Sequence, residues 1–295
     1  MALAIRPIHP EFAGEVSGVD ITRQLSREDV SAIEAGMDRY AVLVFRDQRI
    51  TDEQQLVFSR NFGAIEHAHG GNITKPSDQR LASGMIDVSN LGKDGRPLPK
   101  DGRQSLFNLG NLLWHSDSSF RVIPAKYSLL SARIVNPKGG NTEFADMRAA
   151  YDALDDETRH EIEDLVCEHS LMHSRGSLGI VDYTDEERAM FKSVRQQLVR
   201  THPVTGRKSL YLSSHAGAII GRPTPEARLM LRDLNEHATE PRFVYVHTWR
   251  VHDFIMWDNR QTMHRVRRYD LRQPRDVRRT TIAGDAPTVV SQVAE

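Results

Sequence analysis

The stretch LWHSDSSF at residues 113–120 carries the most informative pattern in the chain. It sets an imidazole, His115, two residues before a carboxylate, Asp117. We predict a strand at residues 112–118, in which positions i and i+2 project from the same face, so both side chains could bind one metal ion. Surface histidines and aspartates are common, so the pair alone is weak support. A third ligand has to come from another part of the chain.

His264 is the candidate for the third ligand because of the residues that follow it. Arg275 and Arg279 lie eleven and fifteen residues further on. Pro274 can begin a strand in which these two arginines share one face while Arg278 points the other way. Buried guanidiniums require anions, because an unpaired buried charge is very costly. Two histidines and one carboxylate leave open positions on Fe(II), which suits an oxygenase that takes anionic ligands.

Composition narrows the possible chemistry. The chain has 295 residues, of which 39% are hydrophobic, so it can bury a substantial core. One cysteine, Cys167, excludes an internal disulfide and thiolate metal sites, and we expect it to be a packed side chain in a helix at about 155–167. No apolar run approaches a membrane span and no signal segment is present, so we expect a cytoplasmic protein without a membrane partner.

A net charge of −1 gives no reason to expect a nucleic-acid partner. Eight arginines do lie within residues 260–279, but acidic residues are interleaved and no aromatic ladder accompanies them. We therefore expect the arginines of this segment that lie outside the candidate site to be surface or ion-pair residues. We also expect most of the other histidines to be structural, namely His169, His173, His202, His215, His237, His247 and His252.

Short strand patterns separated by a few helices predict a mainly β fold with peripheral helices and a double-stranded β-helix (jelly-roll) core. Ser26 and Thr51 are predicted helix starts, and a third helix is predicted from Thr224 with Pro225 in its first turn. Further strands are predicted at 41–45, 85–88, 127–135, 142–146, 198–202, 209–212, 242–249, 253–258 and 277–283. We expect residues 1–295 to form a single domain, with an irregular, lid-like segment at about 66–112.

Three segments together resemble the taurine dioxygenase family of Fe(II)/2-oxoglutarate oxygenases. They are residues 113–120, the run GGNTEFADMRAAYDAL at 139–154, and residues 256–270. The resemblance implies that His115, Asp117 and His264 bind Fe(II). It also implies that Thr142 and Arg275 hold the far carboxylate of 2-oxoglutarate, which is consumed together with O₂. An arginine side chain can form two parallel hydrogen bonds to a carboxylate, and the threonine hydroxyl adds a neutral donor.

Within the family, the segments resemble most the branch that acts on 2,4-dichlorophenoxyacetate. This implies hydroxylation of an aryloxyacetate to give a phenol, glyoxylate, succinate and CO₂, with Arg279 facing the substrate's anionic end. His69 and Asn90 are weaker candidates for substrate contacts in the lid. Family analogy also implies a homo-oligomer. Two alternatives stay open: a taurine or alkylsulfonate dioxygenase of the same family, and a catalytically silent jelly-roll protein that binds a small molecule.

Overall fold

The first helices begin at the residues that the capping patterns predict. The computed structural model describes residues 2–66, 73 and 79–289. Helix α1 (Arg27–Tyr40) follows Ser26, whose side chain accepts a hydrogen bond from the backbone of Asp29. Helix α2 (Asp52–Arg60) follows Thr51, which forms a reciprocal capping box with Gln54. Strands β1 (Ala4–Pro7) and β2 (Gly14–Ser17) precede α1, and β3 (Val42–Phe45) lies between the two helices.

The rest of the described chain alternates short strands with short helices. The further strands are β4 (Ile86–Asp87), β5 (Ala125–Ile134), β6 (Thr142–Asp146), β7 (Val166–His169), β8 (Val194–Gln197), β9 (Val199–Thr201), β10 (Lys208–Leu210), β11 (Ala216–Ile219), β12 (Val244–His247), β13 (Phe254–Asp258), β14 (Thr262–Val266) and β15 (Asp276–Ala283). The further helices are α3 (Arg103–Asn108), α4 (Met147–Asp152), α5 (Asp156–Ile162), α6 (Leu171–Gly176), α7 (Asp185–Met190) and α8 (Thr224–Ala238), with 3₁₀ turns at Leu109–Leu112 and Pro241–Phe243.

A seven-stranded sheet and a three-stranded sheet frame the interior. The large sheet has the order β1-β2-β3-β13-β5-β15-β4 and is antiparallel except between β2 and β3. The smaller sheet has the order β12-β6-β14. Two further small sheets, β11-β7-β8 and β10-β9, lie outside this pair. The fold is therefore mainly β with helices at its periphery, as predicted.

Alternation along the strands sends side chains into separate cores. On β13, Ile255 and Trp257 lie in the core that also contains Phe144 of β6, while Phe254 and Met256 lie in a second core against α1 and α2. Trp257 and Phe144 meet edge to face, with ring centroids 5.5 Å apart. The space between the two sheets is thus lined by one face of each sheet.

Several predicted elements were wrong. Residues 112–118 do not form a strand, since a 3₁₀ turn ends at Leu112, His115 forms only an isolated β-bridge, and a tight turn begins at Asp117. The helix predicted to Cys167 ends at Ile162, and Cys167 lies in strand β7. It is fully buried, and burial raises the pKa of its thiol to about 12. Strand β14 was not predicted, and α8 is preceded by Pro223 as its N-cap rather than starting from a Thr224 cap.

The segment predicted to be irregular, 66–112, contains α3 and the two-residue strand β4, which pairs with β15. His69 lies outside the described residues. Within the described part of the chain, no helix is long and apolar enough to cross a bilayer.

The aromatic core against α2 predicts a stability difference between neighbouring residues. Phe58 is buried against Phe45 and Phe254, whose ring centroids lie 5.9 and 5.3 Å away. We expect Phe58→Ala to lower the free energy of unfolding by about 3–5 kcal/mol, because it leaves a cavity. Val57 is 52% exposed, and Val57→Ala should change it by less than about 0.5 kcal/mol. Urea denaturation followed by circular dichroism measures both, and equal losses would contradict this packing.

Candidate active site

His115 and His264 are brought together by their backbones. Each donates a backbone hydrogen bond to the other's carbonyl, at 3.0 and 2.8 Å, and their ring centroids are 4.2 Å apart. Strand β14 turns Met263 into the core beneath α4 and α8 and turns His264 to the opposite face, where its ring lies 4.7 Å from the Trp257 ring. The pair therefore faces the space between the two sheets.

Asp117 completes the group from a tight turn. The next residue, Ser118, has φ +54°, in the left-handed region, and its hydroxyl donates to the buried carboxylate of Glu66 at 2.7 Å. The Asp117 oxygens lie 3.9 Å from His115 Nε2 and 3.7 Å from His264 Nε2. The candidate ligand atoms all lie within 4.8 Å of one another. The sequence pattern correctly predicted that His115 and Asp117 lie close together. The predicted cause, the pleat of a strand, was wrong, because a β-bridge at His115 followed by a turn brings the two side chains together.

A hydrogen-bond network fixes the Asp117 carboxylate. Asn259 Oδ1 accepts hydrogen bonds from the Asp117 backbone N–H and from Trp257 Nε1, both at 3.1 Å. Its amide nitrogen donates to Ser128 Oγ at 2.9 Å, and Ser128 Oγ donates to Asp117 Oδ2 at 2.7 Å. Asn259 therefore holds both ends of the aspartate. The sequence pattern did not single out Asn259 or Ser128.

The three groups have protonation states that suit a divalent metal ion. Burial lowers the pKa of His115 and of His264, so both rings are neutral at pH 7. His115 Nδ1 lies 2.8 Å from the Leu113 carbonyl, which can only accept, so Nδ1 carries the proton and Nε2 has a free lone pair. Burial alone would raise the pKa of Asp117, but the Arg279 guanidinium and a hydrogen bond from the Ser128 hydroxyl hold it well below its usual value.

The arginines of β15 lie on the faces that the sequence predicts. Arg278 points away from the site and pairs with Asp276 and Asp52, each at 2.8 Å. Arg279 points inward and forms an ion pair with Asp117 Oδ1. Arg275 lies directly before the strand, and both Arg275 and Arg279 line the cavity that contains the triad.

Arg275 is a buried cation without a carboxylate partner among the described residues. It is 4% exposed, its guanidinium lies 5.3 Å from the Tyr269 ring centroid, and Nη1 donates to the Val88 carbonyl at 3.3 Å. Burial lowers its pKa. Thr142 lines the same cavity, and its hydroxyl oxygen accepts from Trp249 Nε1 at 2.9 Å, which leaves the hydroxyl proton available to a ligand. The pair could hold a carboxylate.

Asn90 contacts the protein instead of the space above the triad. Its amide nitrogen donates to the carbonyls of Leu271 and Gln273, and its oxygen accepts from the backbone N–H of Arg275 at 2.8 Å. These contacts fix the start of β15. The hydrogen bonds of Asn90 favour a role in positioning Arg275. A contact between Asn90 and the substrate stays a prediction.

A cavity of about 450 Å³ opens above the triad. Besides the triad, Thr142, Arg275 and Arg279, its walls include apolar side chains, namely Leu91, Leu98, Phe107, Phe120 and Leu171. Two polar residues that sequence reasoning did not assign to the site, Arg175 and His215, also line it. A lone arginine and one of many histidines carry no spacing signal, so only the folded chain identifies them.

Comparison with known proteins agrees with this geometry. Residues 4–281 match the model of the family "Taurine catabolism dioxygenase TauD, TfdA family", and the chain belongs to that family. It is accordingly a 2-oxoglutarate-dependent dioxygenase that uses Fe(II) and O₂.

The individual relatives are similar over almost their whole length. The alpha-ketoglutarate-dependent 2,4-dichlorophenoxyacetate dioxygenase of Cupriavidus pinatubonensis is 45% identical over 97% of this chain and 99% of its own. The (S)-phenoxypropionate/alpha-ketoglutarate-dioxygenase of Sphingobium herbicidovorans is 35% identical over 96% of each chain. The crystal structure of AAD-2 in complex with Mn(II) and N-oxalylglycine superimposes with a TM-score of 0.96, at 70% identity, over 98% of this chain and 100% of that one.

The network around Asp117 predicts that Asn259 controls metal affinity. Asn259→Ala removes the acceptor for the Asp117 backbone and the donor to Ser128, so we expect Mn(II) affinity to fall about 10- to 100-fold. Titration followed by electron paramagnetic resonance measures free Mn(II) directly. Asn61→Ala, at the exposed C-terminus of α2, is the control and should leave the affinity unchanged. Equal affinities for both variants would contradict the positioning role.

Proposed function

We propose that this protein hydroxylates an aryloxyacetate, such as 2,4-dichlorophenoxyacetate, at the carbon next to the ether oxygen. The observation that carries the proposal is a buried His-Asp-His group that shares one cavity with inward-facing arginines and apolar walls. The name of the 45% identical relative supports the same substrate class.

His115, Asp117 and His264 are the residues that would hold Fe(II). Two neutral imidazoles and one ionised carboxylate would bind one side of the metal ion and leave its other coordination positions open to ligands. Arg275 and Thr142 would hold the far carboxylate of 2-oxoglutarate, because the buried guanidinium has no carboxylate partner in the described part of the chain and the hydroxyl has a proton to donate. Bound Fe(II) with 2-oxoglutarate and O₂ supplies the oxidising chemistry that hydroxylates the substrate and releases succinate and CO₂.

The remaining residues of the cavity orient the substrate. Arg279 faces the cavity beside Asp117 and would attract the substrate's carboxylate. Phe107, Phe120 and Leu171 offer apolar walls that suit an aromatic ring better than a short alkylsulfonate. Hydroxylation next to the ether oxygen gives a hemiacetal, which loses its aryloxy group as a phenol and leaves glyoxylate. His69 remains a predicted substrate contact.

The fold supports this assignment in two further respects. We infer that the two facing sheets form a double-stranded β-helix within a single domain, since His264 and the arginines come from strands on either side of one interior. We also infer that the segment at about 66–112 acts as a lid. Met85, Val88 and Leu91 line the cavity, and Arg80 ties the segment to Asp276 of β15 at 2.8 Å. Homo-oligomerisation and a cytoplasmic location stay predictions.

Succinate release in the presence of alternative substrates tests the proposal. Anaerobically purified protein receives Fe(II), 2-oxoglutarate, ascorbate and O₂, with 2,4-dichlorophenoxyacetate, taurine or cinnamate in parallel. We expect the aryloxyacetate to stimulate succinate release together with an equal amount of phenol, and His115→Ala to abolish both. Stimulation by taurine alone would move the protein to the sulfonate-oxidising branch, and full activity of His115→Ala would overturn the metal assignment.

The two inward arginines predict separable kinetic defects. We expect Arg275→Ala to raise the KM for 2-oxoglutarate on the order of 10- to 100-fold, because it removes a charge-assisted hydrogen bond to the cosubstrate. Arg279→Ala should instead mainly raise the KM for the organic substrate, about 10-fold, and it should also weaken metal binding because the cation beside Asp117 is removed. Steady-state kinetics with each substrate varied in turn distinguishes the two effects. The opposite pattern would show that the roles of Arg275 and Arg279 are reversed.

A further inference from the structure

Glu66 is a buried carboxylate in the wall of the cavity, outside the group of candidate metal ligands. It is 8% exposed and lines the cavity that contains the triad. Its Oε2 accepts a hydrogen bond from the Ser118 hydroxyl at 2.7 Å, and its Oε1 lies 3.4 Å from Arg121 Nη1. Burial raises the pKa of the Glu66 carboxyl, and the Arg121 guanidinium and the Ser118 hydroxyl oppose that shift. A buried carboxylate is costly without such partners, so these two contacts hold the side chain in this place.

The backbone of Glu66 is fixed by the large sheet. Its N–H donates to the Thr281 carbonyl at 2.7 Å, and two residues earlier the Ala64 carbonyl accepts from the Ala283 N–H at 2.9 Å. Thr281 and Ala283 belong to β15, which is paired with β5 along its length. The Glu66 side chain therefore extends from a backbone that the sheet holds in place, so it can support another segment of the chain.

Ser118 has a backbone conformation that depends on its surroundings. Its φ of +54° lies in the left-handed region, which a serine rarely adopts and which persists where neighbouring groups fix it. The Ser118 carbonyl accepts from the Arg121 N–H at 2.9 Å and so closes the turn. The Ser118 hydroxyl then connects that turn to Glu66. One hydrogen bond therefore joins the turn to a residue that is anchored on the large sheet.

The turn determines where the Asp117 carboxylate lies. Asp117 directly precedes Ser118, and its backbone N–H donates to Asn259 Oδ1 at 3.1 Å. Asn259 thus holds the N-terminal side of Asp117, and the hydrogen bond between Ser118 and Glu66 holds the residue that follows it. Rotation of the Ser118 backbone would move Asp117 relative to the two imidazoles, and a metal site tolerates displacements of only about 0.5 Å.

We propose that Glu66 is a positioning residue for the metal site. Its hydrogen bond to the Ser118 hydroxyl holds the turn in the conformation that directs the Asp117 carboxylate toward the two imidazoles. This inference rests on the proposed function, in which Asp117, His115 and His264 bind Fe(II). The acceptor oxygen of Glu66, rather than its negative charge, is the feature that the site requires, because the side chain acts through Ser118 and not as a further ligand.

Removal of this hydrogen bond from either end tests the proposal. Mn(II) titration followed by electron paramagnetic resonance measures the affinity of Glu66→Ala, of Ser118→Ala and of the double variant. We expect each single variant to lose affinity on the order of 10-fold, and the double variant to lose no more than either one, because both changes remove the same bond. Glu66→Gln keeps an oxygen that can accept from Ser118, so its affinity should stay within about threefold of wild type.

The spectrum of bound Mn(II) separates a displaced ligand from a general loss of stability. At saturating Mn(II), the zero-field splitting responds to the geometry of the ligands. We expect it to change in Glu66→Ala and in Ser118→Ala, and to return to the wild-type value in Glu66→Gln. Thermal unfolding of the metal-free variants checks that each one is folded.

Glu15 provides a matched control on another strand of the same sheet. This partly buried carboxylate of β2 forms ion pairs with Arg6 and Arg46, at 2.6 and 3.3 Å, and it does not line the cavity. Glu15→Ala therefore also removes a carboxylate that has two polar partners. We expect Glu15→Ala to keep the wild-type Mn(II) affinity and zero-field splitting, because its partners do not support the turn.

Several results would overturn the role of Glu66. Wild-type affinity in Glu66→Ala, or a loss in Glu66→Gln as large as in Glu66→Ala, would exclude a hydrogen bond that positions the turn. Losses that multiply in the double variant would show that Glu66 and Ser118 act independently. A loss in Glu15→Ala equal to that in Glu66→Ala would show that the effect is not specific to the turn.

His115→Ala distinguishes this inference from the proposed function. Unchanged Mn(II) affinity in that variant would overturn the metal assignment and this inference with it. A loss of affinity in His115→Ala together with wild-type affinity in Glu66→Ala would overturn this inference alone.

Discussion

The Asp117 carboxylate is an ionised group buried between two neutral imidazoles, and the site depends on keeping it charged and fixed. Burial on its own would favour the protonated acid, but the Arg279 guanidinium and the Ser128 hydroxyl reverse that preference. Asn259 then connects Ser128 of β5 to the Asp117 backbone. A carboxylate stabilised in this way is available as a metal ligand at every physiological pH.

The sheet arrangement provides the groups that this carboxylate needs. Strand β14 carries His264 and pairs with β6, the strand that carries Thr142. Strand β15, in the facing sheet, brings Arg279 to Asp117, and Arg275, directly before this strand, lines the same cavity. The candidate metal ligands, the arginine that we propose to bind a carboxylate and an apolar wall therefore arise from one interior. Two of the arginines that line the cavity, Arg275 and Arg175, lack carboxylate partners in the described chain.

Strand periodicity explains the features of the site that the sequence predicts correctly. The features that it does not predict depend on contacts between segments that are distant in the sequence. The opposite faces of Arg278 and Arg279 follow from alternation along β15, so that prediction is confirmed. The His115–Asp117 pair is also correct, but a left-handed Ser118 that no spacing rule identifies produces its geometry. Strand β14 was missed because arginines next to His264 obscure its alternation. Asn259, Ser128 and Arg175 contact the site from distant segments, and one sequence carries no signal for such contacts.

A crystal structure of this protein with Mn(II) and N-oxalylglycine is the most direct test of the central claim. We expect the metal to be bound by His115 Nε2, Asp117 and His264 Nε2, with the far carboxylate of N-oxalylglycine on Arg275 and Thr142. A metal bound elsewhere, or an N-oxalylglycine carboxylate that does not contact Arg275, would contradict the assignment of the site.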